Sequence, residues 1–409
     1  MKKGNERGAV LVVGLLIVLV LTILSVAAMM STGTELMIAA NDRSAKEAFY
    51  LGEAGVEEGR ARLQTTSPYP ISDSSHTTNV NWTAFIGTET KAQGKGYQSS
   101  NSNHARYDRL NPPNLNYVVT INHKVTPTPP SYPPPTGSYQ VLYWGDSNND
   151  GKPEENTTTG SNIYVVTSEG YTSSGATKTV RTEVARKPPI TTPAALYTKA
   201  PTSLLGSSTS VLGMDSCGSS NKPGVDCKST VSTSGNPTVT GSPSAMIQNS
   251  PTDIDVQYLI NQFKPSANYS HNWINTTQSG VHWGTPTLGA TVTSPSSCSE
   301  HNVVYINTNN TQVKLAGGSS GCGILLVEGD LNLDGGFSWY GVILVSGTIT
   351  FKGGGDKNVT GAIVSGGTAS ADVDSVIGGH ASVVYCSTAV YDQTNNLPLV
   401  MLRWVEQFY

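Results

Sequence analysis

An uncharged apolar run close to the amino terminus is the feature that most constrains what this chain can fold into. No charged residue occurs between Ala9 and Met30. As a helix rising about 1.5 Å per residue, the run would be roughly 33 Å long, enough to cross the hydrocarbon core of a bilayer. A secretory signal has a shorter apolar core, about 7–15 residues, before its cleavage site. The run therefore favours a membrane-spanning helix over a removed signal peptide. Lys2, Lys3 and Arg7 favour a cytoplasmic amino terminus and an exported body.

The polar sequence after this run keeps a helical period. Residues of one face recur at spacings of three and four, namely Leu36, Ala40, Arg43, Glu47, Leu51 and Ala54. Because no proline occurs before Pro68, we predict one helix from about Ala9 to Leu63. Glycine is unfavourable inside an isolated helix, so the three glycines of GEAGVEEG argue against an ordinary juxtamembrane coiled coil.

These features resemble the precursor of a type IV pilin. A short basic leader ends in Gly8. The stretch ERGAVLVVGLLIVLVLTILSVAAM, followed by ELMIAANDRSAKEAFYLGEAGVEEG, is similar to the PilX-type minor pilins. The resemblance implies that a prepilin peptidase cuts the Gly8–Ala9 bond and methylates the new amine on Ala9. It also implies that the helix lies in the bacterial inner membrane before assembly, and packs against the major pilin and other minor pilins in the filament afterwards.

One position departs from the pattern of major pilins. They carry a glutamate at the fifth mature position, which pairs with the amino terminus of a neighbouring subunit, and here that position is Val13. A buried amine without its carboxylate partner is costly. The K-type minor pseudopilins, which cap their assemblies, also lack this glutamate. We therefore expect the chain to prime assembly and to sit at or near the filament tip, and the family resemblance implies a tip adhesin as partner.

Residues 65–190 have the pattern of a small pilin head. Only 13% of residues are charged and the net charge is −4, so the chain has no basic footprint for nucleic acid. Four segments with strand-like alternation predict an antiparallel sheet of about four strands on the long helix: NYVVTINHKV, SYQVLYWGD, SNIYVVTSEGY and ATKTVRTEVARK. Between the first two, TPTPPSYPPPTG predicts an extended polyproline-like spacer.

The segment DSNNDGKPEEN matches the opening half of a calcium loop, D-x-[DN]-x-[DN]-G. Calcium takes six to eight oxygen ligands, and alternating carboxylates on a tight loop converge on one point. The candidate donors are Asp146, Asn148, Asp150, the carbonyl of Lys152, Glu154 and Glu155. Thr157 stands where the bidentate glutamate is expected. The alternative is an Asx-rich turn between two strands, without an ion.

The sequence after Pro189 changes to short apolar groups separated by glycine, serine and asparagine. GILLVEGDLNLDGGFSWY, GVILVSGTITFKGGGDKNVT and GAIVSGGTASADVDSVIGG begin at Gly323, Gly341 and Gly361, and VVYINTNNTQVKLAGG fits as a looser preceding unit. Units of about 20 residues with glycine turns predict a β-solenoid. TSLLGSSTSVLGMD and NPTVTGSPSAM would supply earlier rungs, and SPTDIDVQYLINQF a short helix capped by Ser250.

Parallel β-helices also occur in polysaccharide-degrading enzymes, which cluster acids on one face. The acids of the repeats here lie mostly beside glycine, where turns are expected, and the histidines lack the spacing of metal ligands. These residues are Asp330, Asp334, Asp356, Asp372 and Asp374, and His271, His282 and His301. We therefore expect no enzyme. The alternative function is a membrane-anchored β-helical protein that binds or degrades polysaccharide.

The chain has five cysteines, all in the exported part. The absence of CxxC argues against zinc, and an oxidising compartment favours disulfides. The candidate pairs are Cys217 with Cys227 and Cys298 with Cys322, which would leave Cys386 unpaired.

The expected fold is therefore α+β: a long transmembrane and amphipathic pilin helix, a small antiparallel-sheet head and a C-terminal β-solenoid. The expected units are a leader at 1–8, the helix at 9–64 with its membrane part at 9–30, the head at 65–190 and the Gly/Ser-rich domain at 195–409. The expected location is the inner membrane with a periplasmic body before assembly, and the tip of an extracellular pilus afterwards.

Overall fold

The computed structural model describes residues 6–64, 67–110, 116–127, 139–288, 295–352, 355–366, 375–377, 381–395 and 397–407. Most of the proline-rich spacer and two acids of the third repeat, Asp372 and Asp374, lie outside these residues.

Helix α1 runs from Glu6 to Leu63 as one element of 58 residues, which confirms the long helix predicted from the sequence. Its described side chains are exposed from Val10 to Arg43, and contacts with the body begin at Ser44. By length and composition α1 can cross a membrane. The helix is therefore an apolar rod in its first half and part of the folded body in its second.

The glycines in the second half of α1 lie where the helix meets the sheet. A Cβ on Gly55 would come within 2.2 Å of Oγ of Ser168, and one on Gly59 within 3.0 Å of Cγ1 of Val166. Protein cores are packed to crystal-like density, so a side chain at these positions would push the helix off the sheet. Close approach to the sheet explains why an otherwise good helix former contains glycine here.

A buried ion pair fixes the end of α1 on the sheet. Glu58 and Arg62 are 2.7 Å apart, and both side chains are almost fully buried. The hydroxyl of Tyr117 donates to Glu58, and the guanidinium of Arg62 donates to the carbonyl of Asp108. Burial, followed by the hydrogen bond to Glu58, raises the pKa of Tyr117. Each charged group thus has a partner, as buried charges require.

A mostly antiparallel sheet packs on this half of α1. Its region contains β1 (Thr83–Ile86), β2 (His104–Tyr107), β3 (Tyr117–His123), β4 (Val125–Thr126), β5 (Gln140–Val141), β6 (Tyr143–Gly145), β7 (Glu154–Thr157), β8 (Ser161–Tyr171), β9 (Thr177–Ala185) and the short helix α2 (Glu89–Gln93). Strand β8 pairs with β3 on one side and β9 on the other, and β1 and β2 continue beyond β3. The sheet differs from the predicted antiparallel sheet in that its outer pair, β1 with β2, is parallel. The four predicted segments form β3 with β4, β5 with β6, β8, and β9, and β4 and β5 pair with each other outside the sheet. The sheet is larger than expected because β1, β2, β7 and a strand near the carboxyl terminus also join it.

In the described part of the C-terminal region, nineteen strands of different length follow β9 before the last strand of the chain. They are β10 (Leu196–Thr198), β11 (Thr202–Leu205), β12 (Thr209–Leu212), β13 (Val225–Cys227), β14 (Val231–Ser234), β15 (Thr238–Thr240), β16 (Met246–Ile247), β17 (Tyr269–Asn272), β18 (Thr276–Ser279), β19 (His282–Trp283), β20 (Thr287–Leu288), β21 (Pro295–Ser297), β22 (Asn302–Ala316), β23 (Ser319–Asp334), β24 (Phe337–Val345), β25 (Ile349–Lys352), β26 (Lys357–Ser365), β27 (Ser375–Ile377) and β28 (Ala381–Tyr385). Helices α3 (Val256–Phe263) and α4 (Ser387–Asn395) and a 3-10 turn at Lys264–Ser266 accompany them.

Parallel pairing arranges all of these strands except β20 and β21 in three columns, which we call the parallel stack. Strands β20 and β21 pair with each other in a separate two-stranded antiparallel sheet. The first column is β17, β22, β23, β24, β26, β10, β13 and β16. The second is β18, β22, β23, β25, β27, β11 and β14. The third is β19, β23, β24, β26, β28, β12 and β15. We call one layer across the columns a rung, and the buried apolar side chains of successive rungs form one core.

The glycine repeats predict the register of the stack. Gly323 lies beside Gly341, and Gly341 beside Gly361, so the repeat offsets are the register of neighbouring strands. A Cβ on Gly341 would lie 2.0 Å from the carbonyl oxygen of Gly323, which explains the glycine at this position of each unit.

The chain does not fill the stack in sequence order. Strands β10 to β15 form the last two rungs, and β16 adds one strand to the first column beyond them. Helix α3 then precedes β17, which starts the first rung at the other end. Strands β26 to β28 return to pair with β10 to β12. The segments expected to precede the repeats thus stack beyond the last of them. Helix α3 is capped by the side chain of Asp255 rather than by Ser250, and begins at Val256.

The carboxyl-terminal strand β29 (Val400–Gln407) does not belong to the stack. It pairs antiparallel with β9 and so forms an edge of the head sheet. Trp404 of this strand contacts Phe49 of α1 edge-to-face, with ring centroids 6.3 Å apart. The last strand of the C-terminal domain expected at 195–409 is therefore part of the head sheet. The chain passes from the head to the stack and then back to the head.

The first cysteine pair expected from the sequence is wrong. Cys217 is joined to Cys386, whereas Cys227 is a free, buried thiol on β13. Cys227 lies in the core of the stack, near the carbonyl of Ala200, and Cys217 lies in an exposed turn beside the end of β28. The structure joins Cys298 to Cys322, the second pair considered.

Candidate functional sites

The amino-terminal end of α1 is the first candidate site. The Gly8–Ala9 bond lies in the first turn of α1, and Val13 follows with 57% of its side chain exposed. No aspartate or glutamate occurs between Glu6 and Glu35. The apolar half of the helix therefore has no other carboxylate that could take the place of the one missing at Val13.

The acidic loop between β6 and β7 is the second candidate site. Single carboxylate oxygens of Asp146, Asp150 and Glu154 all lie within 4.8 Å of one another. Asn149 and Gly151 have φ of 59° and 83°, which curl the backbone into the tight turn that this convergence needs. Three of the predicted donors thus come together.

Hydrogen bonds within the loop fix the orientation of its carboxylate groups. Asp146 accepts the backbone N–H groups of Asp150 at 3.1 Å and Gly151 at 2.8 Å. Glu154 accepts from the backbone and the hydroxyl of Ser147, at 3.2 and 3.3 Å. Asn148 accepts the N–H of Asp150 at 2.9 Å. These are also the bonds of an Asx turn, so the loop is ordered by its own backbone before any ion enters.

Glu155, another predicted donor, lies outside the group of three carboxylates. The side chain of Glu155 is exposed and is not in the carboxylate group, because successive residues of a strand point to opposite faces. The side chain of Lys152 forms an ion pair with Asp255 at 2.9 Å. This hydrogen bond, followed by the charge of Asp255, raises the pKa of Lys152. The Lys152 side chain is therefore engaged with Asp255, while the donor predicted at this residue is its backbone carbonyl, which takes no part in this ion pair.

The acidic loop lies at the contact between the head and the parallel stack. Thr191 donates to Asp146 at 2.5 Å, and the N–H of Asp255 donates to the carbonyl of Asp150 at 3.3 Å. A Cβ on Gly151 would come within 3.0 Å of Ile254. A cleft of about 300 Å³ opens beside Asp146. Sequence reasoning missed these contacts, because nothing local links the loop to residues forty to a hundred positions later.

Two of the acids and the three histidines considered for an enzymatic site have structural partners. Asp330 accepts the N–H of Thr348 at 2.8 Å, and Asp334 forms an ion pair with Lys314. The histidines contact a tryptophan, a serine and a glutamine: His271 stacks on Trp273, His282 pairs with Ser320 and His301 with Gln393. These contacts account for the residues as parts of turns and of the core.

A comparison with known protein families gives a match that falls within α1. Residues 7–57 match the PilX N-terminal family model. This segment is similar to the amino-terminal segment of PilX-type pilins. The match confirms the resemblance stated from the sequence over residues 7–57 and supports a pilin-like role for α1.

Two further comparisons add little. No curated protein matches the chain. The competence-associated pilin ComZ from Thermus thermophilus is 12% identical, with 89% of this chain and 97% of that chain covered, at a TM-score of 0.20. So low a TM-score supports no structural conclusion.

Proposed function

We propose that this chain is a minor pilin of a type IV pilus that sits at or near the filament tip and helps to prime assembly. The observation that carries the proposal is the match to a PilX-type segment on a helix whose side chains are exposed from Val10 to Arg43. An exposed apolar surface of this size needs a bilayer or other apolar helices around it. A pilus subunit meets both requirements in turn, first in the inner membrane and then in the filament.

The tip position is supported by Val13. In a filament, the fifth mature residue faces the amino terminus of a neighbouring subunit, and an amine left without a carboxylate in an apolar core is costly. A subunit with valine there, and no other acid before Glu35, cannot satisfy such an amine. Such a subunit fits a position in which no neighbouring amino terminus lies against its fifth mature residue.

The parallel stack is the part that such a subunit would present. We take it to be a β-solenoid, since three columns of parallel strands continue through at least seven rungs and enclose one apolar core. The head packs closely on α1 at the glycines of that helix. Strand β29, which follows the stack in the sequence, pairs with the head sheet and so connects the two regions. An adhesin or a surface could then be contacted through the stack while α1 stays in the filament.

Calcium in the acidic loop would stiffen this arrangement. Asp146, Asp150 and Glu154 supply three hard oxygen ligands, and carbonyl oxygens and water complete the six to eight that calcium takes. Because the loop touches both the head and the residues before α3, a bound ion would hold the two regions together.

The state of the amino terminus tests the proposal. Mass spectrometry of the protein from sheared surface filaments and from membranes is expected to find methylated Ala9 in the filament fraction. Immunogold labelling is expected at filament ends. An intact Met1 found only in membranes would overturn the proposal and favour the membrane-anchored polysaccharide-binding alternative.

A variant at Val13 separates the tip position from pilus incorporation. Val13→Glu restores the carboxylate, so we expect label to spread along the shaft, while Val13→Gln, which is polar but uncharged, keeps it at the ends. Label spread evenly along the shaft in the wild type would contradict the tip position and leave the pilin assignment standing.

A further inference from the structure

The first rung of the parallel stack ends the core in aromatic rings. Strands β17, β18 and β19 form this rung and pair with the strands of the rung below them. In that lower rung, the core positions of the first column are held by Val304 and Ile306, which are fully buried. The register places Tyr269 beside Val304 and His271 beside Ile306. Rings therefore take the place of aliphatic side chains where the core reaches its end.

Stacked rings continue from this surface into the core. The ring of Trp273 stacks on His271, with centroids 4.1 Å apart and planes 14° apart. Trp283 lies beneath both, 5.9 Å from Trp273 and 5.8 Å from His271, and Trp339 lies 6.3 Å from Trp283. Trp283 and Trp339 are buried, so the outer two rings rest on a packed support. Side chains that are already held in place lose little freedom when a ligand binds.

The outer rings are open to solvent in part. His271 and Trp273 are partly exposed, while 42% of Tyr269 and 50% of the neighbouring Ile274 are exposed. Side chains two positions apart on a strand lie on one face, about 7 Å apart, so Tyr269 lies beside His271. We call the surface formed by Tyr269, His271 and Trp273 the aromatic platform. An exposed apolar patch with a polar rim marks an interaction site.

The rim of the aromatic platform is polar and uncharged. No aspartate, glutamate, lysine or arginine occurs at residues 265–288. This stretch supplies amide and hydroxyl groups instead, and Asn272 and Asn275 are among its exposed residues. Lys264, which precedes the stretch, forms an ion pair with Glu328. The platform therefore has neither a cation nor an anion of its own with which to hold an ionic ligand.

Burial keeps the imidazole of His271 neutral as well. Desolvation disfavours the charged form of a group, and it lowers the pKa of His271. Among the described residues, Nε2 of His271 has no hydrogen-bond partner that would favour a second proton. The histidine thus contributes a flat, uncharged ring beside Trp273.

The chemistry that fits such a surface is that of a neutral sugar. The face of an aromatic ring is electron-rich and attracts weakly positive hydrogens. A pyranose presents C–H groups on its faces and hydroxyl groups around its edge, so its face can lie on the rings while protein amides and hydroxyls meet its edge. An aliphatic ligand would leave the polar groups of the rim without partners, which is costly. An ionic ligand would find no opposite charge.

We propose that the aromatic platform binds a neutral pyranose residue of a glycan, with the face of the sugar stacked on Trp273 and Tyr269. Asn272 and Asn275 lie at the rim to exchange hydrogen bonds with the sugar hydroxyls. This contact is one form of the surface contact named in the proposed function. It needs only the stack, so purified protein tests it, and its failure would leave the pilin proposal standing.

Saturation-transfer NMR on the full-length protein detects such binding. The protein is kept in a detergent without a sugar head group. The probes are neutral gluco-, manno- and galacto-oligosaccharides, with sulfated oligosaccharides for comparison. At least one neutral series should bind, with the strongest saturation on ring C–H protons, and binding should persist in chelator because the acidic loop is not part of the platform. No binding of any neutral probe, binding of sulfated probes alone, or a loss of binding in chelator would overturn the proposal.

Substitution of two tryptophans locates the site. Trp273→Ala removes the ring on which the sugar stacks and should weaken binding of the neutral probe about tenfold. Trp273→Tyr keeps an aromatic face and should retain more of the affinity. Trp404→Ala is the matched control, because Trp404 is 44% exposed but lies on the head sheet, and it should leave the affinity unchanged. Equal losses in Trp273→Ala and Trp404→Ala, or no loss in Trp273→Ala, would overturn the proposal.

Circular dichroism checks that Trp273→Ala folds, since this ring also packs against the core. If it does not fold, hydrogen exchange on the wild type decides the question. The neutral probe should slow exchange at the amides of β17 and β18 and leave the amides of β14, near the opposite end of the stack, unchanged. Protection by the probe at the acidic loop or on the head instead of at β17 would overturn the proposal.

Discussion

Cys217 is joined by a disulfide to Cys386, 169 residues later in the sequence. The bond lies where two distant sections of the chain meet, since Cys217 follows β12, Cys386 follows β28, and these two strands pair with each other. It therefore closes the stack at the internal junction that has no chain connection.

Removing this bond should destabilise the stack strongly. The chain-entropy account of disulfides gives more stabilisation for longer loops, typically 2–5 kcal/mol, so Cys217→Ser with Cys386→Ser should lose about that much free energy of unfolding. Chemical denaturation measures it. Cys227→Ala is the control, because it removes a buried thiol but no cross-link, and should cost about 1 kcal/mol. Peptide mapping that finds Cys217 bonded to Cys227 would contradict the pairing.

Gly55→Ala should loosen α1 from the head. The new methyl would lie 2.2 Å from Oγ of Ser168 and 2.9 Å from the ring of Tyr117, so we expect a loss of about 1–3 kcal/mol from overpacking. Gly33→Ala is the matched control, because nothing lies within 4 Å of that position and alanine is the better helix former. The melting temperature should fall for Gly55→Ala, and it should rise or stay unchanged for Gly33→Ala. Equal destabilisation would show that helix propensity, not packing, governs Gly55.

Short-range sequence patterns correctly predicted the elements that depend on residues close together in the sequence. The apolar run and the helical period after it gave α1, alternation gave β3, β8 and β9, and the glycine spacing gave the register from Gly323 to Gly361. In each of these elements, the residues that form the sequence pattern are the same residues that pack or pair in the structure. The convergence of Asp146 and Asp150 belongs to the same class, since a tight loop needs only its own backbone.

Contacts between distant segments could not be predicted in this way. The alternation in LRWVEQF marks a strand, but it does not say whether the strand joins the head or the stack. Likewise, the pairing of β10 with β26 and of Cys217 with Cys386 depends on the order in which rungs stack. That order is decided by the summed burial of whole rungs, which no short stretch of sequence reveals.

Asp73 and His123 form a buried pair in the head. Nε2 of His123 lies 2.9 Å from the carboxylate of Asp73, and Nδ1 donates to the carbonyl of Asn79 at 2.9 Å. Tyr164 donates to the same carboxylate, and Trp82 stacks on the imidazole. Burial alone would raise the pKa of Asp73, but the hydrogen bonds and charge of His123, with the bond from Tyr164, hold it below its usual value.

This pair should make the head sensitive to acid. Because the pKa of Asp73 is lower in the folded than in the unfolded protein, its stabilisation is complete above the unfolded value of 3.8 and is lost as pH falls through the folded value. Asp73→Asn should therefore lower the melting temperature at pH 6, and the difference from wild type should shrink below about pH 4. The control is Asp108→Asn, at an ion pair where 82% of the carboxylate side chain is exposed, which should change little at either pH. A difference that stays constant down to pH 2 would contradict the assigned pair.

Calcium binding should depend on Asp150 and not on Glu155. Asp150 belongs to the group of three carboxylates, whereas the neighbouring strand residue Glu155 is exposed outside it. If calcium binds the folded state only, a concentration a hundred times its dissociation constant adds about 2.7 kcal/mol to the free energy of unfolding. We expect this gain in the wild type and in Glu155→Gln, and its loss in Asp150→Asn.

Calorimetric titration of calcium into the full-length protein in detergent, together with melting curves in calcium and in chelator, measures both effects. Because the loop touches Thr191 and Asp255, calcium should also slow hydrogen exchange at residues around 190 and 255, which lie outside the loop itself. No heat of binding and identical melting curves in all three proteins would leave the loop as an Asx turn that orders its own backbone. Protection confined to the loop would show that an ion binds without joining the head to the stack.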